Sequence, residues 1–278
     1  MVIDVHTHIL PEDVRVNRAV YAARDPWFGT LHARRAKTAS AEDLVEAMNR
    51  AGVDTAVAFG FAWAEHELCV RNNDYLIEAT QRHAGRILGF ASIQPRAGRR
   101  AVSELERCLA AGLKGVGELM PDGQGFDLGD ETVLKPIVQL AISADVPVVA
   151  HASEPVGHIY PGKGTVTPQA VYRLAKRFPK LKLIAAHWGG GLPMYELMPE
   201  VADTMRNVFY DTAASFLVYR PEIFPVAARF LSHKILFGTD FPLVGQKRFL
   251  DRVRAAGLSP EQLNGILSGN ARRVLCLP

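Results

Sequence analysis

The chain opens with a short apolar run that ends in two histidines, His6 and His8, spaced two residues apart. The apolar residues before them predict a β-strand. Successive side chains of a strand point to opposite faces, so His6 and His8 share one face at the strand's C-terminal end. Two imidazoles in this arrangement can bind one metal ion. The spacing therefore predicts a metal site at the end of the first strand.

Strand-like and helix-like segments alternate along the rest of the chain. The predicted strands cover residues 1–8, 55–61, 87–93, 114–119, 146–152, 181–187, 208–212 and 234–240. The predicted helices cover residues 40–52, 73–83, 102–110, 131–143, 168–178, 194–202 and 223–231, with a terminal helix that begins at Ser259. Eight strands with intervening helices predict an α/β protein with one domain over residues 1–278, a (β/α)8 TIM barrel.

Further metal-competent side chains stand at the ends of later predicted strands. His151 lies near the end of the fifth strand, His187 ends the sixth and Asp240 ends the eighth. Catalytic groups of a β/α barrel gather at the C-terminal ends of its strands. We therefore expect these three side chains to converge with His6 and His8.

Charge and cysteine content exclude several classes of function. The 32 Lys and Arg nearly balance the 29 Asp and Glu, and no basic block argues for nucleic acid as a partner. The three cysteines, Cys69, Cys108 and Cys276, are widely separated, which argues against a disulfide framework or a zinc-thiolate site. No signal-like segment and no run of about 18 apolar residues occurs. We expect a cytoplasmic protein without a membrane partner.

Four motifs together resemble the amidohydrolase superfamily: Asp4-Val-His-Thr-His8, Val149-Ala-His151, Ala186-His187-Trp-Gly-Gly190 and Phe237-Gly-Thr-Asp240-Phe-Pro242. The most similar branch holds metal-dependent hydrolases and decarboxylases, among them aminocarboxymuconate-semialdehyde decarboxylase and the γ-resorcylate decarboxylases. The resemblance covers essentially the whole chain.

This resemblance implies a set of metal ligands. By it, His6, His8, His151 and Asp240 bind a divalent ion, usually zinc, while His187 lies beside the metal-bound water or binds a second metal. Imidazole and carboxylate are ligands that zinc prefers, and zinc lowers the pKa of a bound water. We expect one or two divalent ions, most often Zn²⁺ with Mn²⁺ as the alternative.

Glu118 departs from the many relatives that carry a lysine at the end of the fourth strand. Binuclear relatives that resemble the TatD-type deoxyribonucleases carry a bridging glutamate there. Two interpretations stay open at this point. Glu118 is either a metal ligand together with His187, or a carboxylate that pairs with a lysine or caps a loop.

Several residues are candidates for contact with a small-molecule substrate. The predicted loop after the fifth strand carries His158, Tyr160 and Lys163, which can bind a carboxylate or carbonyl oxygen. For each of them a solvated loop side chain is an equal alternative. Trp63 and Trp188 can form the walls of a pocket for a planar substrate, although packing is an equal alternative. The segment 9–40 shows no clear period and is expected to be either a lid or a contact of a homodimer.

Asp240 and His187 are the expected proton carriers. Because a bridging Glu118 favours two metals, we expect a metal-dependent hydrolase that cleaves an ester, lactone or amide bond in a small carboxylated compound. The alternative is a zinc-dependent non-oxidative decarboxylase of an aromatic or muconate-type acid, since fold alone does not choose between the reactions. A non-catalytic metal-binding barrel is the second alternative.

Overall fold

Eight parallel strands form the centre of the part of the chain that the structure describes. That part is residues 1–32 and 36–277 of a computed structural model. The strands are β1 (Ile3–His8), β2 (Thr55–Phe59), β3 (Ile87–Gly89), β4 (Val116–Leu119), β5 (Val148–Ala150), β6 (Leu183–Ala185), β7 (Val208–Asp211) and β8 (Ile235–Leu236). They pair in chain order as one sheet of three strands and one of five.

Two isolated bridges join these sheets into a closed barrel. Thr7 of β1 pairs with Phe241, just after β8, and Ala91, just after β3, pairs with Val116 of β4. The nitrogen of Val5 donates to the oxygen of Phe237 at 2.8 Å, which adds a hydrogen bond to the first junction. The predicted (β/α)8 TIM barrel is therefore confirmed.

Helices connect and surround the strands. Within the described residues they are α1 (Glu12–Val16), α2 (Arg18–Arg24), α3 (Pro26–His32), α4 (Ala41–Ala51), α5 (His66–Arg82), α6 (Arg99–Ala110), α7 (Pro121–Gln124), α8 (Glu131–Ser143), α9 (Pro168–Arg177), α10 (Pro199–Thr204), α11 (Ser215–Val218), α12 (Ile223–Leu231), α13 (Gln246–Arg254), α14 (Pro260–Asn264) and α15 (Asn270–Val274). A short 3₁₀ segment covers Pro95–Ala97, and a π-helical turn covers Gly265–Gly269. The segment His187–Leu197 is kinked, because residues 187–191 have left-handed backbone conformations. Within the described ranges no helix has the length and apolar character needed to cross a bilayer.

Local capping explains where α4 begins and ends. The hydroxyl of Ser40 accepts a hydrogen bond from the nitrogen of Asp43, and the Asp43 carboxylate accepts one from the nitrogen of Ser40. This reciprocal box satisfies two backbone donors that the first turn leaves free. Gly52 follows the helix in a left-handed conformation, φ 73°, which glycine adopts without strain.

Within the segment 9–40, the described residues form α1, α2 and α3 up to His32, and residues 36–40 are irregular. Trp27 packs against Gly123 after β4, and Leu31 packs against Gly162 after β5. His32 packs against Phe61 after β2, with ring centroids 5.6 Å apart. The segment thus contacts loops on the C-terminal side of three strands. Its role as a lid or a dimer contact stays a prediction, and Arg34 and Arg35 of this segment lie outside the described residues.

Candidate metal centre

The side chains of His6 and His8 meet at the end of β1, as their spacing predicts. Their Nε2 atoms lie 3.1 Å apart. His6 Nδ1 donates to Asp211 Oδ2 at 2.9 Å, and His8 Nδ1 donates to the carbonyl oxygen of Gly60 at 3.2 Å. A carbonyl oxygen and an ionised carboxylate can only accept, so both protons reside on Nδ1. Both Nε2 atoms therefore face the same space.

Two carboxylates border that space. Asp240 Oδ1 lies 3.5 Å from His8 Nε2 and 3.8 Å from His6 Nε2. Glu118 Oε2 lies 3.9 Å from His8 Nε2 and 3.8 Å from His6 Nε2. Ligand atoms that share one zinc-sized ion are separated by roughly 3–3.5 Å. Two imidazole nitrogens that meet at hydrogen-bond distance next to two carboxylates fit a divalent cation, which would take the place of the proton between them.

A glycine brings Glu118 to this position. Gly117 has φ 130°, and a Cβ built on it would lie 2.6 Å from the carbonyl oxygen of Val149 on β5. Any residue with a side chain would therefore push β4 away from β5. Among the ion pairs of the described residues, Glu118 pairs with four histidines and with no lysine: His6, His8, His151 and His187.

His151 and His187 contact the other oxygen of Glu118. His151 Nδ1 lies 3.0 Å from Oε1, and His187 Nε2 lies 3.5 Å from the same atom. His151 Nε2 also lies 3.2 Å from the hydroxyl of Ser153. The structure therefore places Glu118 beside His6 and His8, where the resemblance implied His151. His151 stands on the far side of the carboxylate.

Metal-competent atoms of the described residues form two overlapping triads, His6 with His8 and Asp240, and His6 with Glu118 and His187. His6 Nδ1 is bonded to Asp211, so only Nε2 of His6 is available to an ion. Both triads require that one atom. The residues fit one divalent cation at His6. Glu118 would link this cation to His151 and His187.

Surplus negative charge controls the titration of this cluster. Burial lowers the pKa of His6, but the charges of Asp211 and Glu118 outweigh burial and raise it to about 9. Burial likewise lowers the pKa of His187, and the hydrogen bond and charge of Glu118 raise it to about 10. Burial raises the pKa of Glu118, but the neighbouring histidines hold it well below its usual range. A bound cation would offset this surplus.

The expected proton carriers both occupy strained backbone conformations. His187 has φ 54° and Asp240 has φ 68°, in the left-handed region that side chains disfavour. Such strain costs about 1–3 kcal/mol per residue and clusters at functional sites. The nitrogen of Asp240 donates to the oxygen of His6 at 2.9 Å, which fixes the aspartate beside the cluster.

Two buried aspartates that support the cluster were not singled out from the sequence. Asp211 ends β7, orients His6 and also accepts a hydrogen bond from the nitrogen of His187 at 2.9 Å. Asp4 accepts hydrogen bonds from Thr239, which precedes Asp240, and from Gln246 of α13. Asp211 ends its strand as the other candidates do, and this signal could have identified it.

The structure gives the three predicted contact residues of the loop after β5 other partners. Tyr160 donates to Glu154 Oε2 at 2.8 Å. Lys163 Nζ donates to the carbonyl oxygens of Val156 and His158. His158 is exposed. These side chains shape the loop, and the described contacts do not bring them to the histidine cluster.

Neither tryptophan lies on an open pocket wall. Trp63 is 1% exposed and stacks on Phe28 with ring centroids 4.8 Å apart. Trp188 is 0% exposed, and its Nε1 donates to the hydroxyl of Ser215 at 2.6 Å. Of the two interpretations that the sequence left open, packing describes both side chains.

The barrel and the cluster at its mouth define a metal-dependent enzyme of the amidohydrolase superfamily. The chain belongs to the amidohydrolase family, whose model matches residues 3–277. A curated relative, γ-resorcylate decarboxylase from Polaromonas sp. (strain JS666 / ATCC BAA-500), is 24% identical over 84% of this chain and 86% of its own length.

Solved structures of similar proteins share the fold. The 5-carboxyvanillate decarboxylase from Sphingomonas paucimobilis superposes with a TM-score of 0.81 at 15% identity, over 100% of this chain and 99% of its own. The dihydroxybenzoic acid decarboxylase from Polaromonas sp. JS666, with bound manganese and the inhibitor 2-nitroresorcinol, superposes with a TM-score of 0.71 at 22% identity, over 99% and 97%.

These relatives correct the expected reaction. All three are decarboxylases, so the expectation of hydrolysis, which rested on Glu118, is wrong. The physical reason lies in the position of Glu118. Its Oε1 faces His151 and His187, and the second triad shares its His6 atom with the first, so a carboxylate here does not require a second metal.

Proposed function

We propose that the chain catalyses the metal-dependent, non-oxidative decarboxylation of a small hydroxylated aromatic acid. The observation that carries this proposal is the pair of Nε2 atoms of His6 and His8, which lie 3.1 Å apart and are bordered by Asp240 and Glu118. Similarity to γ-resorcylate decarboxylase supports the substrate class. In this proposal the chain contributes the ligands for a cation and, close to them, side chains that can donate a proton.

One divalent cation, Zn²⁺ or Mn²⁺, would be held by His6, His8, Asp240 and Glu118. Imidazole ligands suit zinc and carboxylates suit manganese, so this mixed set accepts either ion. When bound, the cation supplies Lewis-acid charge that neutralises an anionic substrate. Asp211 and Gly60 hold the two imidazoles in the tautomer that this role requires.

The chain's own part in the reaction is to deliver a proton. Decarboxylation breaks the bond between the ring carbon and the carboxylate, the electron pair stays on the ring carbon, and carbon dioxide leaves. That carbon then takes up one proton. His187 Nδ1 donates to the carbonyl oxygen of Ala213 at 3.1 Å, so Nε2 carries the transferable proton. Asp240 lies across the centre and is the second candidate donor.

Glu118 and His151 position this proton. The ionised Glu118 carboxylate accepts from His187, and this hydrogen bond and the negative charge favour the protonated imidazole by raising its pKa. His151 contacts the same oxygen. Loss of the proton from His187 would leave Oε1 of Glu118 with His151 as its remaining partner among the described residues, which favours reprotonation of His187 from solvent before the next turnover.

The test is release of carbon dioxide from dihydroxybenzoates by protein loaded with Mn²⁺ or Zn²⁺. We expect turnover that a chelator abolishes and that added metal restores, with about one ion bound per chain. His6→Ala should lose the ion and the activity together, while the exposed His158→Ala keeps both. Metal-loaded protein that releases no carbon dioxide from any dihydroxybenzoate would refute the proposal.

A further inference from the structure

A second polar group lies on the same side of the barrel, and the proposed reaction does not use it. Glu154 follows β5 in the chain and is only 9% exposed. Its Oε2 accepts a hydrogen bond from Tyr160 at 2.8 Å, while its buried Oε1 has no hydrogen-bond partner. The hydroxyl of Tyr219, after β7, is also buried without a partner. The Tyr219 hydroxyl and the Glu154 carboxylate are neighbours whose geometry falls short of a well-formed hydrogen bond; burial, and then the charge of Glu154 and this contact, raise the pKa of Tyr219.

No ion pair within residues 1–32 and 36–277 compensates this carboxylate. The ion pairs of the described residues include no pair to Glu154, and Lys163 of the same loop donates to two backbone oxygens instead. A buried carboxylate that lacks both a cation and a full set of donors is costly to the fold. A buried polar group without enough partners needs a specific explanation in a folded protein. One explanation is a ligand that donates a hydrogen bond to the carboxylate when it binds.

Glu154 adjoins the metal centre through its neighbour in the chain. The Ser153 hydroxyl lies 3.2 Å from His151 Nε2 and accepts from the nitrogen of Gly164 at 3.0 Å. On the opposite side, a Cβ built on Gly190 would lie 2.3 Å from the oxygen of Ser153, so the segment after His187 packs directly on this residue. Glu154 is thus next in the chain to Ser153, which contacts the histidine cluster, and follows the C-terminal end of β5.

We infer that Glu154 determines substrate specificity by accepting a hydrogen bond from a hydroxyl group on the substrate ring, away from the carboxylate that leaves. This inference rests on the proposed function and extends it to a substrate class. A charged acceptor binds a phenolic donor strongly and repels a second carboxylate at the same place. The enzyme therefore selects ring-hydroxylated monoacids over ring-dicarboxylated ones.

Kinetics on three matched sets of substrates test this selection. The sets are 2-hydroxybenzoates with an additional ring hydroxyl, with the matching methyl ether, or with an additional ring carboxylate. For the wild type we expect kcat/KM for the best hydroxylated acid to exceed that of its ether by about tenfold or more. Glu154→Gln should reduce this ratio towards one and at the same time raise the relative kcat/KM of the dicarboxylated acids.

The matched control is Glu222→Gln, which makes the same charge change at an exposed position before α12 and should leave all ratios unchanged. A purely structural role of Glu154 predicts instead that all three substrate sets lose activity equally in Glu154→Gln. Equal loss, or no change in either ratio, would overturn the inference.

A binding experiment distinguishes failure of this inference from failure of the proposed reaction. If metal-loaded wild type decarboxylates none of these acids, the proposed function fails, and calorimetry with resorcinol and with its dimethyl ether decides the role of Glu154. We expect resorcinol to bind the wild type about tenfold more tightly than Glu154→Gln, with the ether unaffected by the change. Equal affinity of resorcinol for both proteins, or no binding to the wild type, would overturn the inference.

Discussion

Asp211 decides which nitrogen of His6 faces a cation. Its Oδ2 accepts from Nδ1 of His6, and its Oδ1 accepts from the nitrogens of His187 and Ala213. One buried carboxylate therefore contacts both the ring of His6, a proposed metal ligand, and the backbone of His187, the proposed proton carrier. The geometry of the centre depends on a residue that need not contact the ion.

Asp211→Asn should weaken metal binding without unfolding the protein. An amide can donate to His6 Nδ1 and favour the wrong tautomer, so we expect affinity for Mn²⁺ to fall about 10- to 100-fold. Competitive titration of Mn²⁺ against a fluorescent chelator measures this. The exposed Asp203→Asn is the control, and unchanged affinity in Asp211→Asn would remove the orienting role.

His187→Gln should separate proton delivery from metal binding. Glutamine keeps a polar group near Glu118 but provides no proton of suitable acidity, so we expect carbon dioxide release to fall about 10²- to 10⁴-fold. Metal content by plasma mass spectrometry should stay near that of the wild type. His158→Gln, in the exposed loop, should behave as wild type. Full activity in His187→Gln would move the proton donor to Asp240.

At the scale of elements, a buried ion pair fastens the segment after β6 to the barrel. Lys234, just before β8, donates to Glu196 Oε2 at 2.5 Å and to the oxygen of Met205 at 3.0 Å. Tyr210 of β7 donates to Glu196 Oε1 at 2.5 Å. The side chains of Lys234 and Glu196 are 8% and 2% exposed. This network holds the segment that begins with His187.

Lys234→Met should lower the free energy of unfolding by about 3–5 kcal/mol, because it leaves the Glu196 carboxylate buried without its cation. The double variant Lys234→Met with Glu196→Gln should recover part of that loss, since the amide still accepts from Tyr210. Urea unfolding measures both. The exposed pair of Lys247 and Asp251 supplies the control, where Lys247→Met should cost at most about 1 kcal/mol. A similar small loss in Lys234→Met would contradict this account.

Local signals predicted the elements better than they predicted the site. The sequence predicted a helix at 131–143, and the structure has α8 at Glu131–Ser143. The two agree because the features that define this helix, an aspartate cap and an apolar period, are local in the sequence. Several predicted strands extend beyond the observed ladders, since apolar residues continue into the buried loops. Helix α13 was not predicted, although it packs against α4 and supplies Gln246 to Asp4.

Contacts between residues that are distant in sequence explain which features of the candidate site the sequence did not predict. His6 and His8 were found because two residues of one strand decide their common face. Asp211 contacts His6 from 205 positions away, and no local pattern encodes that pairing. The side-chain direction of Trp63 and Trp188 likewise depends on packing partners, Phe28 and Ser215, that spacing alone does not specify.

At the scale of the whole molecule, closure of the barrel assembles the centre from both ends of the chain. Asp4 accepts hydrogen bonds from Thr239, 235 positions away, and β1 pairs with the turn at Phe241. The ligands at His6 and Asp240 therefore come together only when the last strand closes against the first. We therefore expect metal binding at the proposed ligands to be coupled to global folding.

Thiol chemistry gives an independent test of how completely the described barrel is packed. Burial raises the pKa of Cys69 and Cys108, whereas Cys276 is exposed. A raised pKa means that these two thiols stay protonated and unreactive as the pH rises to about 9. We expect an aromatic disulfide reagent to modify one thiol per native chain and three in denaturant. Rapid modification of all three in the native protein would contradict this packing.

The central claim is that the centre decarboxylates a hydroxylated aromatic acid, and isotope incorporation tests it most directly. Mn²⁺-loaded protein is incubated in D₂O enriched in ¹⁸O with an equimolar mixture of dihydroxybenzoate isomers and their methyl esters, and the products are weighed by mass spectrometry. We predict one carbon dioxide released and one deuterium on the ring for each acid consumed, with the esters unchanged. Unchanged acids, together with esters cleaved to acids that carry ¹⁸O, would contradict the account.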